Sequence, residues 1–163
     1  MAKHAGGKND APRGDRVVTS NRRAFHDYFI EEEIEAGIVL TGAEIKSVRD
    51  GKITIGEAYV RVMNGEVWLI GAHITPWDHE GGFSREDPTR TRKLLVHKRQ
   101  IVQLREATER QGLTIIPLRV KIRQGRAKVD IGIARGKHLY DKRQSEKERD
   151  AKREIDRARR DRE

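Results

Sequence analysis

The sequence predicts a mainly β chain closed into a small six-stranded antiparallel barrel, with two or three short helices and a basic C-terminal tail. Three observations carry that expectation. Two turn dipeptides, Asn64-Gly65 and Gln124-Gly125, each sit between runs of alternating apolar and polar residues, as antiparallel hairpins require. A strand-like stretch from His26 to Leu40 precedes them and carries Gly37 where a bend or bulge would fall. In the body of the chain, helical spacing is confined to Gly42–Arg49 and His97–Gln111. About six strands that pair mostly with sequence neighbours, closed by a helix, fit a barrel of the oligonucleotide-binding type better than a flat sheet.

Each element has a local reason. Residues 1–16 hold almost nothing to bury and include Gly6, Gly7, Pro12 and Gly14, so they read as a flexible basic arm. The barrel domain spans 17–135. In its opening strand Tyr28, Ile30, Ile34, Ala36, Ile38 and Leu40 share one parity, and Glu31, Glu33 and Glu35 the other. Thr41 is placed to cap a helix over Gly42–Arg49, with Ala43, Ile45 and Val48 as its apolar face and Gly51 as its stop. Ala58–Met63 and Glu66–His73 form the first hairpin; Thr114–Arg123 and Arg126–Ala134 form the second. Between them lie a polar loop from about Pro76 to Thr89, a short strand Lys93–Val96, and a helix with Ile101, Leu104 and Thr108 inward and Gly112 at its end.

From Gly136 the character changes. Between Gln144 and Glu163 the apolar residues are Ala151, Ile155 and Ala158, there is no Gly or Pro, and opposite charges recur at helical spacing, as in Glu148 with Lys152. Each such pair contributes only about 0.2–0.5 kcal/mol, and an unpacked helix is marginal in water. Residues 136–163 are therefore expected to be disordered alone and helical on a partner.

Composition narrows the function. The 163 residues include 35 Lys and Arg against 26 Asp and Glu, a net charge of +9, and 37% are charged where about 25% is ordinary. The excess sits at the ends: 6 basic and 2 acidic residues in 1–23, 18 and 16 in 24–135, and 11 and 8 in 136–163. Basic ends call for an anionic partner. No apolar run approaches the roughly 18 residues of a membrane-spanning helix, and the first sixteen residues lack the apolar core of a secretory signal. A cytoplasmic protein is expected. The absence of cysteine excludes disulfides, thiolate nucleophiles and Cys-based metal sites. With no phosphate-binding glycine loop and no nucleophile motif, neither enzyme activity nor a cofactor or metal is expected.

Three basic clusters stand out: Arg22-Arg23, Arg90-x-Arg92-Lys93, and Lys137 to Arg143. Arg and Lys match phosphate oxygens, and the flat side chains of His26, Tyr28, His97, His138 and Tyr140, in or beside these clusters, suit stacking on unpaired bases. Solubilising surface is the competing reading. Asp78-His79-Glu80 invites a metal or acid–base assignment, but adjacent residues seldom converge on one ion, and a mobile loop is the better reading. Glu31, Glu33 and Glu35 read as a solvated face, of which one member could accept hydrogen bonds from RNA.

Several of these stretches together resemble a known family. Asn21-Arg-Arg-Ala-Phe-His-Asp-Tyr-Phe-Ile30, with Glu35-Ala-Gly-Ile38 and Gly42-Ala-Glu-Ile-Lys-Ser-Val-Arg49, is similar to the N-terminal signature of the SsrA-binding protein family, small protein B. Asp87-Pro-Thr-Arg-Thr-Arg-Lys-Leu-Leu95 and Gly136-Lys-His-Leu-Tyr-Asp-Lys-Arg143 are similar to its second and third signatures. The resemblance implies a monomer that binds the tRNA-like domain of transfer-messenger RNA one to one, delivers it to stalled ribosomes for trans-translation, and does no chemistry itself. By position it implies an RNA face of His26, Glu35, Leu95 and His97, with Lys46 and the strand Arg90, Arg92 and Lys93 around them; the Arg22-Arg23 cluster joins that set. It implies that Gly136, Lys137, Tyr140, Asp141, Lys142 and Arg143 meet the decoding centre, with the rest of the tail in the messenger channel. His138 stands where the family usually has Lys, and His97 where some members have Asn. The alternatives are a generic oligonucleotide-binding component of the translation apparatus and a metal-dependent RNA-processing enzyme using Asp78, His79 and Glu80.

Overall fold

The structure is a computed structural model that describes residues 15–77, 87–137 and 139–161, without the side chains of 139–141, 144, 145 and 161. The arm up to residue 14, the loop trio Asp78, His79 and Glu80, and His138 lie outside the described residues.

The chain opens on β1 (Arg16–Ser20), so Arg16, expected in the arm, already pairs with the barrel. A short helix α1 (Arg22–Asp27) follows, capped by the Asn21 side chain, which accepts from the Ala24 N–H at 3.1 Å. It was not expected. His26, read as the start of a strand, belongs to this helix, and β2 runs Tyr28–Ile38. Next come α2 (Gly42–Arg49), β3 (Ile53–Thr54), β4 (Tyr59–Met63), β5 (Glu66–Ile70) and β6 (His73–Ile74). The run expected to continue from Glu66 to His73 breaks at Gly71, whose φ is +83°, and β6 leaves to pair with β3. Then β7 (Arg92–Leu95), α3 (Lys98–Glu109), β8 (Thr114–Arg123), β9 (Arg126–Gly136) and the tail helix α4 (Leu139–Asp161) complete the order.

Six antiparallel strands close a ring in the order β8-β4-β5-β7-β2-β9, because β9 pairs back onto β8, and β1 adds outside on β8. Both hairpins form as expected: Asn64 and Gly65 take φ of 52° and 73°, Gln124 and Gly125 take 51° and 77°, the paired positive angles of a two-residue turn whose twist matches its strands. The barrel interior is filled by Ile34, Ala36, Val60, Val67, Leu69, Leu94, Val120, Val129 and Ile131, and Leu104 and Ala107 of α3 pack against them. On α3 it is Leu104 and Ala107 that are buried, while Ile101 and Thr108 are half-buried at the margin.

The bulge in β2 falls between Ile30 and Glu32 rather than at Gly37. One extra residue reverses the side-chain alternation. Ile34 and Ala36 therefore point into the barrel, whereas Tyr28 and Ile30 turn outward and join Ala24, Phe25, Ile116, Leu118 and Ala134 in a second core beneath α1. That core is tight. A Cβ on Gly132 would sit 2.9 Å from Leu118 Cδ1 and 3.2 Å from Ile30 Cγ2.

Candidate RNA interface

The expected RNA-facing residues fall at two ends of β2. Eleven residues at about 3.3 Å each make this strand roughly 30 Å or more in length. At its C-terminal end Gly37 pairs with Leu95, and at its N-terminal end Tyr28 pairs with Gly136, where the tail begins. His26 thus lies with the tail and not with Leu95 and His97.

At the Leu95 end the Thr41 side chain caps α2, accepting from Glu44 N–H, while Glu44 in turn accepts from the Thr41 N–H at 3.0 Å. The box sets α2 against the end of β2 and leaves a groove of about 330 Å³. Ile38, Leu40, Ile45, Leu95 and Ala127 form its apolar surface, with Lys128 beside them. Leu95 is 52% exposed, a large apolar side chain left open on a strand. Lys93, two residues earlier on the same face, holds Glu66 at 3.3 Å across the surface, and such an exposed pair is worth about 0–1 kcal/mol. The His97 N–H donates to Gln100 at the start of α3, leaving the His97 ring exposed. Lys46 is exposed on α2 next to Ile45. Lys46, Lys93, Leu95 and His97 can all be reached from solvent.

Arg92 cannot. It was grouped with Arg90 and Lys93 by sequence adjacency, but strand alternation turns it inward, where it is 1% exposed. Its Nε donates to Glu44 Oε2 at 2.6 Å, and its terminal nitrogens donate to the carbonyls of Ala72, Pro88 and Arg90 at 2.9–3.1 Å. Arg90 also donates to the Glu44 carboxylate. Burial pushes the Glu44 carboxyl up, and the bonds from Arg90, the Thr41 backbone and Arg92 outweigh it, so its pKa lies below the ordinary value. Arg92 is a core residue that ties α2 to β7, to Ala72 between β5 and β6, and to Pro88 and Arg90 just before β7.

Glu35, half-buried on the barrel wall, is held by Lys121 at 2.8 Å and Arg123 at 3.0 Å. The Lys121 hydrogen bond, aided by Arg123 and opposed by burial, lowers its pKa. The neighbouring Arg119 and Lys121 both reach Asp130, at 2.9 and 3.0 Å, and Arg119 also reaches Glu33. The row Glu33, Glu35, Asp130 is therefore a cross-strand ion-pair ladder and not a purely solvated face. The signal for it was the Arg119-x-Lys121-x-Arg123 alternation opposite Glu33-x-Glu35. Arg22 and Arg23 lie exposed on α1, Arg23 paired to Glu57 at 2.5 Å.

At the other end His26 Nδ1 lies 2.8 Å from Asp27 and Nε2 lies 2.5 Å from Glu146 of α4. Lys142 reaches Asp27 at 3.5 Å, and Lys137 N–H and Nζ donate to the carbonyls of Asp27 and Phe25. Arg143 is exposed, Gly136 ends β9, and Tyr140 and Asp141 lie in the first turns of α4. Asp27 first, then Glu146, raises the His26 pKa. The stabilisation that the charged His26 ring gains from Asp27 and Glu146 is complete below the ordinary histidine midpoint and is lost as pH rises through the raised one. In a ring-proton NMR titration, Glu146→Gln is expected to lower the His26 midpoint and Asp27→Asn to lower it further; a midpoint indifferent to both would remove the contact.

A closed six-stranded barrel of the oligonucleotide-binding type, with basic residues at both ends and a basic helical tail, is the class these features define. The chain belongs to the SmpB protein family, whose family model matches residues 18–161. It is 55% identical over 144 residues to the SsrA-binding protein of Roseiflexus castenholzii, covering 88% of this chain and 91% of that one. It is 49% identical over 151 residues to the SsrA-binding protein of Desulfitobacterium hafniense, covering 93% and 96%. A solved structure described as "tmRNA-SmpB: a journey to the center of the bacterial ribosome" superposes with a TM-score of 0.62 at 43% identity, covering 74% of this chain and 85% of that one. Among the described residues no helix is long and apolar enough to cross a membrane.

Proposed function

We propose that the chain binds the tRNA-like domain of transfer-messenger RNA with the Leu95 end of its barrel and delivers that RNA to stalled ribosomes for trans-translation. The observation that carries the site is the open Leu95 beside an apolar groove, flanked by Lys93 and His97 and by Lys46 of α2. An unpaired base gains apolar contact in such a groove while neighbouring phosphates meet the cations. The SsrA-binding names of the relatives and the transfer-messenger RNA named with the structural neighbour support the RNA's identity. The protein acts as a cytoplasmic monomer, one per RNA, and contributes binding rather than chemistry. Residues 136–163 order on the ribosome, with Gly136, Lys137 and Tyr140 to Arg143 at the decoding centre.

Leu95→Glu combined with Lys93→Ala is expected to weaken binding of the isolated tRNA-like domain at least tenfold. Lys93→Ala alone should reduce the salt slope by about 0.7–0.9 for one lost phosphate contact. Filter binding at several salt concentrations reads both. Affinity and slope unchanged in a folded double variant would place the capture site elsewhere.

A further inference from the structure

At the tail end of β2 a second feature joins an open aromatic ring to a basic cleft. Phe29 lies between Tyr28 and Ile30 on the opposite face of the strand, and at this open end of the barrel its large apolar side chain is left 40% exposed. Its cross-strand partner is Arg135, whose guanidinium carbon lies 5.7 Å from the ring centroid, and Lys137 Nζ lies 5.0 Å from it. Beside them, Lys137 and residues Glu148, Arg149 and Lys152 of α4 line a cleft of about 350 Å³. Three cations face one carboxylate there.

We infer that this cleft takes an unpaired nucleotide of small-subunit ribosomal RNA, its phosphate among Lys137, Arg149 and Lys152 and its base on the ring of Phe29. The inference rests on the ribosomal role proposed above for the tail. The volume falls at the lower end of the range for small-ligand sites, and the charge selects an anion. The aromatic beside it selects a planar group, because base–aromatic stacking is favourable for any base. Arg135, at 5.7 Å, stands near the outer reach of a cation–π contact and Lys137, at 5.0 Å, within it, and both can turn to a phosphate as a base covers the ring. One wall of the cleft is the tail helix itself, so the occupant is the RNA that the tail meets and not the RNA held at the Leu95 end.

The test uses the full chain with two labelled probes, vacant small ribosomal subunits and the isolated tRNA-like domain. Phe29→Ala, and separately Arg149→Ala with Lys152→Ala, are expected to weaken small-subunit binding about tenfold and to leave tRNA-like-domain binding within threefold. Phe29→Tyr keeps the stacking surface and should remain within threefold on both probes. The cation variant alone should flatten the salt dependence on small subunits. The inference is overturned if Phe29→Ala leaves small-subunit affinity within twofold, if Phe29→Tyr is as damaging as Ala, or if the loss appears on the tRNA-like domain instead. Leu95→Glu run in parallel separates this from the capture site: it should weaken only the tRNA-like domain, and its failure to do so overturns the capture reading while leaving the Phe29 comparison intact.

Discussion

Truncation before Lys137 leaves affinity for transfer-messenger RNA within a few fold and abolishes tagging of peptides on stalled ribosomes. The expectation follows from the length of β2, which holds the tail roughly 30 Å from Leu95, and from how little holds α4 to the barrel. Its described contacts with α1 are the His26–Glu146 and Lys142–Asp27 pairs, both partly exposed. Its apolar stripe of Ala151, Ile155 and Ala158 is exposed, Ile155 by 54%. Pairs of that kind contribute little to the barrel's stability, so the truncated barrel keeps its fold and its RNA. A thermal midpoint close to that of the full chain, with tagging lost, is the expected result. Replacing Asp141, Lys142 and Arg143 together with Ala should reproduce much of the tagging loss. If RNA affinity and tagging fall by the same factor, the tail is part of the capture surface.

The largest effect on stability belongs to Arg92. Arg92→Ala leaves the Glu44 carboxylate buried with only Arg90 and the Thr41 backbone, removes the Arg92 donor from the Ala72 carbonyl, and leaves the Pro88 carbonyl with the Ile74 N–H alone. Breaking one side of a buried ion pair costs about 3–5 kcal/mol, and at about 2–4 °C per kcal/mol for a chain of this size the melting midpoint should fall by roughly 10 °C. Lys93→Ala, one residue away, should shift it by no more than about 4 °C, since exposed pairs contribute about 0–1 kcal/mol. Glu44 also gives the site an acid limit. Its folded pKa is depressed, so its contribution is present above the ordinary carboxylate midpoint and is lost as pH falls through the lowered one. Melting curves from pH 7 to pH 3 should show this loss in the wild type and a shallower dependence in Glu44→Gln. Equal acid sensitivity in both would assign the limit to other carboxylates.

What could be read from the sequence was local. Asn64-Gly65 and Gln124-Gly125 fix their hairpins because the turn geometry is set by two residues, and Thr41 marked the start of α2 for the same reason. The buried partner of Glu44 lies 48 residues further on, and no local pattern reports that pairing. Helix α1 is only six residues long, too short for its periodicity to show, and the bulge after Ile30 moved Tyr28 and Ile30 to a core that single-parity counting cannot find. The basic cluster at Arg90 to Lys93 was visible as charge. Its division into a buried Arg92 and an outward Lys93 follows from the alternation of the strand to which both belong, and adjacency concealed it. The family resemblance likewise implied His26, Leu95 and His97 as one face, because a motif carried over by position holds no measure of how far β2 separates its parts.

The division of the molecule into two RNA-contacting ends is tested most directly by site-specific photo-crosslinking on stalled ribosomes. One full-length protein carries the photoreactive residue at Leu95 and another carries it at Ile155, and the attached RNA is sequenced. The Leu95 cross-links should map to the tRNA-like domain of transfer-messenger RNA, and the Ile155 cross-links to ribosomal RNA of the small subunit's messenger channel. Cross-links from both positions to the same RNA, or with the two RNAs exchanged, would contradict the account.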